Sequence, residues 1–172
     1  MTTDIPRRHG AETSPLGQAV AYRDTYAPEL LFPIARQLKR DELGLHADAL
    51  PFVGEDLWNA YELSWLDARG KPVVALGEFR VPAASPRLIE SKSLKLYLNS
   101  FNQQRCASVE EVRATITRDL SAATGAAVAV MLWPLHERPG RRFGYPEGVC
   151  LDALEIDIER YQPCPETLRA EG

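Results

Sequence analysis

Residues 57–81, LWNAYELSWLDARGKPVVALGEFRV, are the stretch that decides the fold. Two runs within it, 57–66 and 71–81, are rich in β-branched and aromatic residues, which are typical of strands. The DARG segment at 67–70 has the residue types of a turn. The sequence therefore predicts a β-hairpin whose two strands are joined directly by this turn.

Two helices are predicted after the hairpin. The first covers 90–104, because its apolar residues recur at spacings of four and three and so share one helix face. Its apolar stripe consists of Leu94, Leu98 and Phe101. The second covers 108–124, because Ser108 and Glu111 have the spacing of a capping box and Gly125 is placed to end the helix.

Two further strands are predicted, a buried one over 126–133 and one over 151–161 in which apolar and acidic residues alternate. The order is strand, strand, helix, helix, strand, strand. This order indicates an α+β fold, with a four-stranded antiparallel sheet and two helices inserted between strands 2 and 3.

The predicted domain organisation has three parts. Residues 1–55 form an N-terminal arm without sustained periodicity, apart from a possible short helix at 28–39. Residues 56–161 form the α+β module. Residues 162–172 contain prolines and polar residues, and we interpret them as a tail or as the start of a linker.

Composition and charge exclude several classes of protein. An apolar share of 45% and a charged share of 26% are those of an ordinary globular protein. The net charge of −4 argues against a broad basic surface for direct binding of nucleic acid. The longest apolar run, 126–133, is far shorter than the roughly 20 residues that cross a bilayer. Because the first residues also lack an apolar signal core, we expect a cytoplasmic protein without membrane contact.

Metal binding is not expected either. The three cysteines are Cys106, Cys150 and Cys164, and the three histidines are His9, His46 and His136. They form no CxxC pair and no cluster with the spacing of metal ligands.

The segment 88–103, LIESKSLKLYLNSFNQ, allows two interpretations. Glu90 and Ser91 fall in the first helical turn, where free backbone N–H groups favour a carboxylate without any ligand. Alternatively, Ser91 and Lys92 bind a phosphate at the helix start, and Glu90 accepts paired N–H donors from a guanine-like edge. The spacing of these residues leaves both interpretations open.

The string ESKSLKLY at 90–97 resembles the signature of the QueF family, the NADPH-dependent 7-cyano-7-deazaguanine (nitrile) reductases of queuosine biosynthesis. The likeness runs from about 22 to 161 and resembles the N-terminal half of the two-module members. The further similar segments are YRDTY at 22–26, LGL at 43–45, LPF at 50–52, YELSWL at 61–66 and NSFN at 99–102.

This resemblance implies a tunnelling fold (T-fold) of ββααββ order and a specific chemistry. In the family, a cysteine thiolate adds to the substrate nitrile as a thioimidate, two hydrides from NADPH reduce it to the amine, and an aspartic acid handles protons. The resemblance assigns Ile89, Glu90 and Ser91 to contacts with the deazaguanine substrate and Ser91 with Lys92 to contacts with NADPH. It implies no metal.

The chain departs from the family at the nucleophile, because no segment resembles the family's Ser-Asn-Cys-Pro context. Cys150 and Asp157 have the family's separation of seven residues, but no general base stands near Cys150 in the sequence. We interpret Cys150 as a structural, partly buried cysteine. His136 and Glu137 follow the third strand rather than the signature segment, so we interpret them as part of a surface loop. We therefore expect no catalytic residue in this chain.

These departures predict a composite enzyme. The chain would supply ligand contacts, while a catalytic module supplies the cysteine and the acid in cis or in trans. The chain would then be a truncation, a split half or a gene fragment. Unpaired sheet edges predict a homo-oligomer formed through those edges. Two alternatives stay open: a non-catalytic T-fold module that binds a purine or a partner, and a pterin or purine enzyme of the same fold.

Overall fold

A computed structural model describes residues 23–137, 144 and 147–167. The chain divides into two compact units, with the boundary between residues 139 and 140. The first unit contains strands β1 Pro33–Ala35, β2 Glu55–Leu66, β3 Pro72–Pro82, β4 Arg87–Ile89 and β5 Ala129–Pro134, and helices α1 Gln37–Glu42, α2 Ser91–Asn99 and α3 Val109–Thr124. Short 3-10 helices lie at Pro28–Leu30 in the first unit and at Pro165–Thr167 in the second.

The predicted hairpin is confirmed. Strands β2 and β3 pair antiparallel as far as Leu66, which lies opposite Pro72. Asp67 shapes the turn, since its Oδ1 accepts hydrogen bonds from the backbone N–H groups of Arg69 at 2.8 Å and Lys71 at 2.9 Å. An aspartate that binds the backbone following it is a common way to close a tight turn.

The α+β class is also confirmed. Strand β5 pairs antiparallel with β3, so the sheet order is β2-β3-β5, and helices α2 and α3 come between its second and third strands in the chain. The core joins this sheet to both helices. Its most deeply buried large side chains are Phe79 of β3, Tyr97 of α2, Ile116 and Leu120 of α3, and Phe101 just after α2.

Helix α3 begins and ends where its capping residues predict. The Oγ of Ser108 accepts a hydrogen bond from the Glu111 N–H at 3.2 Å, and the Glu111 carboxylate accepts one from the Ala107 N–H at 2.6 Å. Gly125 ends the helix at a φ of +75°, a conformation that residues with a Cβ rarely adopt.

Helix α2 is shorter than the predicted 90–104 and covers Ser91–Asn99. The segment after the helix is instead hydrogen-bonded to the last residue of β2. The Leu66 N–H donates to the Gln104 carbonyl at 2.9 Å, and the Leu66 carbonyl accepts from the Cys106 N–H at 2.8 Å. These contacts take the place of helical hydrogen bonds. No helix in the described part of the chain is long and apolar enough to cross a membrane.

The predicted fourth strand over 151–161 is not formed, so the sheet has three strands among the described residues. Leu154, Ile156 and Ile158 are 55%, 64% and 61% exposed. Backbone hydrogen bonds in this segment join near neighbours, such as that from the Leu154 N–H to the Leu151 carbonyl at 3.1 Å. Alternation shows which side chains could be buried together, but a strand also needs a partner edge for its backbone.

A second, two-stranded sheet was not predicted. Strand β1 pairs antiparallel with β4, with Pro33 opposite Ile89, so the expected helix over 28–39 is replaced by a 3-10 turn, a strand and the start of α1. The pairing continues beyond the strands, because the Glu90 N–H donates to the Phe32 carbonyl at 3.0 Å. The pairing therefore fixes the point at which helix α2 begins.

Candidate functional site

Glu90 is the N-cap of helix α2. Its Oε1 accepts a hydrogen bond from the Lys92 N–H at 2.8 Å, and its Oε2 accepts one from the Ser93 N–H at 2.7 Å. The residue is 5% exposed. A carboxylate at this position satisfies free N–H groups and is favoured by the helix dipole. Oε1 also accepts from the Ser91 hydroxyl, whereas Oε2 has a second lone pair and can still accept a further hydrogen bond.

Ser93 holds the same helix start from the inside. Its hydroxyl is fully buried, donates to the Glu90 carbonyl at 2.7 Å and accepts from the Phe32 N–H at 3.0 Å. Ser93 thus joins the first turn of α2 to the chain that enters β1. Of the two serines in the signature string, Ser93 therefore has a structural role.

The predicted site residues occupy different environments at this helix start. The Ile89 side chain is 3% exposed and belongs to the core, so a ligand contact from this residue would come from its backbone. Ser91 is exposed, and its hydroxyl donates a hydrogen bond to Glu90 Oε1 at 3.3 Å. Lys92 is half-buried. The four residues are therefore brought together at one end of α2, but they do not all face one surface.

A cavity of about 480 Å³ lies between β2 and α2. Ser91 is the predicted ligand residue that lines it, and Lys95 lines it one helical turn further along. Leu94 and Phe101 point into the core, as predicted, while Leu98 is half-buried and borders the cavity. The described lining residues are Trp58, Asn59, Ala60, Tyr61, Glu62, Leu63, Phe79, Ser91, Leu94, Lys95, Leu98 and Asn99.

A β-bulge forms the strand side of this cavity. Ala60 pairs with Gly77 and Leu63 pairs with Ala75, so two residues of β2 oppose one residue of β3. The two β2 residues are Tyr61 and Glu62, and both side chains are exposed and line the cavity. Bulges redirect side chains and occur next to active sites. The residue pattern of YELSWL predicts a regular strand, so this bulge was not predicted.

A cluster of polar side chains holds α2 against α3. The Asp119 Oδ2 accepts hydrogen bonds from the Tyr97 hydroxyl at 2.7 Å and from the Tyr26 hydroxyl at 2.5 Å. The Arg118 guanidinium donates to Asp119 and to the Tyr26 oxygen. The rings of Tyr26, Tyr97 and Phe101 also pack edge to face, with centroids 5.2 to 6.4 Å apart. The cluster joins the YRDTY segment to the last residue of the signature.

The two tyrosines make stability pH-dependent. Burial, followed by the hydrogen bond to Asp119 and its charge, raises the pKa of Tyr26 from 10.0 to about 12 and raises the pKa of Tyr97 as well. Because the folded-state pKa values are raised, this stabilisation is complete below pH 10 and is lost as the pH rises through about 12. Urea unfolding at pH 8 and at pH 11.5 should show this loss, and a Tyr26→Phe, Tyr97→Phe variant should lose less. If both proteins lose the same free energy of unfolding between pH 8 and pH 11.5, the two tyrosines are not the cause of the pH dependence.

The cysteines are separate from the cavity. Cys106 lies between α2 and α3 in the chain and is 6% exposed, and its thiol pKa is raised by burial and then by the charge of Glu111. Cys150 is exposed, so the expectation of a partly buried residue is wrong. It lies with Cys164 and Asp157 in the second unit. The described lining of the cavity contains no cysteine.

The His136 and Glu137 side chains are exposed beside the end of β5, 79% and 62% respectively, which confirms their surface position. Their side chains lie 3.3 Å apart and do not line the cavity. Within the described ranges, histidines, cysteines and carboxylates do not form a group of three that could hold a metal ion.

Comparison with known proteins decides the family. The family model described as "Nitrile reductase, 7-cyano-7-deazaguanine-reductase N-term" matches residues 22–132. The chain belongs to the QueF family. The matched range includes the start of α2, the whole described lining of the cavity and the Asp119 cluster.

Curated relatives agree with the family match. Proteins named NADPH-dependent 7-cyano-7-deazaguanine reductase are similar to this chain: one from Azoarcus sp. (strain BH72) is 72% identical over 162 residues, and one from Aromatoleum aromaticum is 68% identical over 163 residues. A third, from Dechloromonas aromatica, is 61% identical over 158 residues. The alignments cover 92% to 95% of this chain but only 56% to 58% of the relatives. The chain thus spans somewhat more than half their length.

Proposed function

We propose that this chain is the N-terminal module of an NADPH-dependent nitrile reductase. The complete enzyme converts 7-cyano-7-deazaguanine to 7-aminomethyl-7-deazaguanine in queuosine biosynthesis. One observation carries the proposal: in a member of the QueF family, the signature segment begins a helix beside a cavity of about 480 Å³. Cavities of roughly 300 to 1,000 Å³ are the usual size for small-molecule sites.

The ligand contacts follow the signature residues. Ile89, Glu90 and Ser91 contact the deazaguanine, with Ile89 acting through its backbone because its side chain is in the core. The remaining lone pair of Glu90 Oε2, which accepts from the Ser93 N–H, accepts an N–H donor from the purine-like edge. Ser91 and Lys92 contact NADPH. The buried bonds of Glu90 and Ser93 keep this helix start rigid before a ligand arrives.

The described residues fit NADPH. The cavity combines the aromatic side chains of Trp58 and Tyr61 with the hydroxyl of Ser91 and the ammonium of Lys95, which suit rings, ribose and phosphate. NADPH supplies the hydrides when it is bound. This module binds and orients, whereas the nucleophilic cysteine and the acid come from a catalytic module in cis or in trans.

The tunnelling fold is the proposed architecture. Its support is the order of a hairpin, two helices and a third antiparallel strand in one sheet. The proposed organisation keeps an arm at 1–55, the module at 56–161 and a tail or linker at 162–172. Homo-oligomers are proposed to form through sheet edges, because β2 and β5 are the outer strands of the described sheet.

One observation favours a second candidate, a non-catalytic module that binds a purine or a protein partner. The Glu90 carboxylate, which the reductase needs for its substrate, is already used by its own helix and is 5% exposed. A module of this kind would keep the helix cap for stability and would not contribute to reduction.

The test uses the complete protein, made by joining this chain to the remaining part of the Azoarcus sp. relative. Lys92→Ala is expected to weaken NADPH binding by about 1 to 3 kcal/mol, because it removes a charge-assisted contact. Glu90→Gln is expected to weaken 7-cyano-7-deazaguanine binding and to leave NADPH binding nearly unchanged. Calorimetric titration of each variant with each ligand measures both effects.

Lys71→Ala is the matched control, because Lys71 is an exposed lysine in the hairpin turn and does not line the cavity. It should bind both ligands like the unaltered protein. If Lys92→Ala and Glu90→Gln also bind both ligands normally, the segment is an ordinary capped helix and the non-catalytic module is the better description.

A further inference from the structure

We propose that Ser93 is a positioning residue for the deazaguanine substrate: it makes no contact with the substrate, but its hydrogen bonds hold the Glu90 carboxylate in the orientation that receives the ring. This inference rests on the proposed function and extends it to the core-facing side of α2. Ser93 is fully buried and is not among the described residues that line the cavity. It follows Ser91 by two positions, a rotation of about 200° around the helix, so the two side chains point in nearly opposite directions. Ser93 therefore acts on a ligand only through another group.

Ser93, Glu90 and Phe32 form a closed ring of hydrogen bonds. The Ser93 hydroxyl donates to the Glu90 carbonyl at 2.7 Å and accepts from the Phe32 N–H at 3.0 Å. The Phe32 carbonyl in turn accepts from the Glu90 N–H at 3.0 Å. The Ser93 N–H adds a bond of 2.7 Å to the Oε2 of Glu90. The same two neighbours thus hold Glu90 at its N–H, its carbonyl and its carboxylate.

A glutamate at this position needs more support than a helix cap alone requires. Serine, threonine, aspartate and asparagine are the usual caps, and an aspartate would place a carboxylate here with one torsion fewer to fix. A long side chain such as glutamate loses more conformational freedom when it is held in one rotamer. The extra length is useful where the carboxylate also has to reach a group outside the helix, and Oε2 has a lone pair left for such a group. The ring through Ser93 therefore supports the ligand contact as well as the cap.

Ser100, just after the last residue of α2, makes the same kind of contacts without a link to the predicted ligand residues. It is also fully buried, and its hydroxyl donates to the Tyr97 carbonyl at 2.6 Å and accepts from the Ala27 N–H at 3.1 Å. Both serines thus bind a carbonyl three residues earlier and a backbone N–H of the segment before α1. Tyr97 donates to Asp119 and is not a described lining residue. Ser100 is therefore a matched control for Ser93.

The test measures ligand binding by calorimetric titration of the complete protein, in which this chain is joined to the remaining part of the Azoarcus sp. relative. The probe is 7-aminomethyl-7-deazaguanine, because this amine has the ring of the substrate but no nitrile that could form a covalent adduct. Ser93→Ala should weaken amine binding about 3- to 10-fold, the effect of one misplaced hydrogen bond, and NADPH binding less than about twofold. Ser100→Ala should lower the melting temperature to a similar extent and change either affinity by less than about twofold.

A double-mutant cycle separates positioning from general loosening of the helix. In the Glu90→Gln background, Ser93→Ala should weaken amine binding by less than a further twofold or so, because the charged acceptor that Ser93 orients is already absent. Ser93→Cys keeps the approximate size of the side chain but has only a weak donor and acceptor. It should give a smaller effect with the same selectivity for the amine, and it replaces the alanine variant if that variant does not fold.

Four results would overturn the proposal: equal weakening of amine and NADPH binding by Ser93→Ala, equal weakening of amine binding by Ser93→Ala and Ser100→Ala, additive effects of Ser93→Ala and Glu90→Gln, or normal amine binding in Ser93→Ala. In each of these cases the proposed function stands as long as Glu90→Gln weakens amine binding. If Glu90→Gln binds the amine normally, the proposed function itself fails, and this inference fails with it.

Discussion

Replacement of Asp119 by alanine should lower the free energy of unfolding by about 3 to 5 kcal/mol. Asp119 is 9% exposed and accepts hydrogen bonds from the hydroxyls of Tyr26 and Tyr97. Tyr97 is fully buried, so its hydroxyl would lose its partner without gaining water. An unsatisfied buried polar group costs about 1 to 3 kcal/mol, and each lost bond to a charged acceptor adds to that loss.

Arg118→Ala is the control for this cluster. Its side chain is 66% exposed although it pairs with Asp119 at 2.9 Å, so its removal should lower stability by less than about 1 kcal/mol. Urea denaturation of both variants at neutral pH provides the comparison. Equal losses would mean that the ion pair, rather than the two tyrosine hydrogen bonds, stabilises the contact between α2 and α3.

Phe79→Ala should have a similarly large effect, with a loss of about 3 to 5 kcal/mol. Phe79 is 1% exposed, lies in the central strand β3 and forms part of the cavity floor. Gly77 makes room for its ring, because a Cβ at Gly77 would lie 3.1 Å from the ring's Cζ. Alanine at 79 would leave a void that the sheet and α2 cannot fill without moving.

Val74→Ala is the matched control for Phe79→Ala. Val74 lies on the opposite face of the same strand and is 41% exposed, so its truncation should lower stability by less than about 1 kcal/mol. Thermal and urea unfolding would both show the difference. Similar losses for the two variants would contradict the assignment of the core to one face of the sheet.

Local chemistry made part of this fold predictable. The Asp67 side chain and its neighbours specify the hairpin turn, and Ser108, Glu111 and Gly125 specify the two ends of α3. In each case the partners are a few residues apart, so the sequence pattern contains both members of the interaction. The acid at the start of α2 was predictable for the same reason, since Glu90 caps N–H groups only two and three residues further on.

Features that depend on distant partners were not predictable. Leu66 binds the backbone of Gln104 and Cys106 beyond the end of α2, and Asp119 binds a tyrosine 93 positions away. The segment 151–161 alternates like a strand, yet it has no strand partner among the described residues. The cavity wall depends on the register of β2 against β3, which the residue pattern of β2 alone does not specify.

The bulge in β2 also limits how another strand could add to the sheet. β2 pairs with β3 along one side and is an outer strand of the described sheet. The break between Ala60 and Leu63 divides it into two stretches whose backbone groups are out of phase. A straight strand could therefore match only one of them, either 55–60 or 63–66. The bulge also leaves Tyr61 and Glu62 at the cavity, where both side chains form part of its lining.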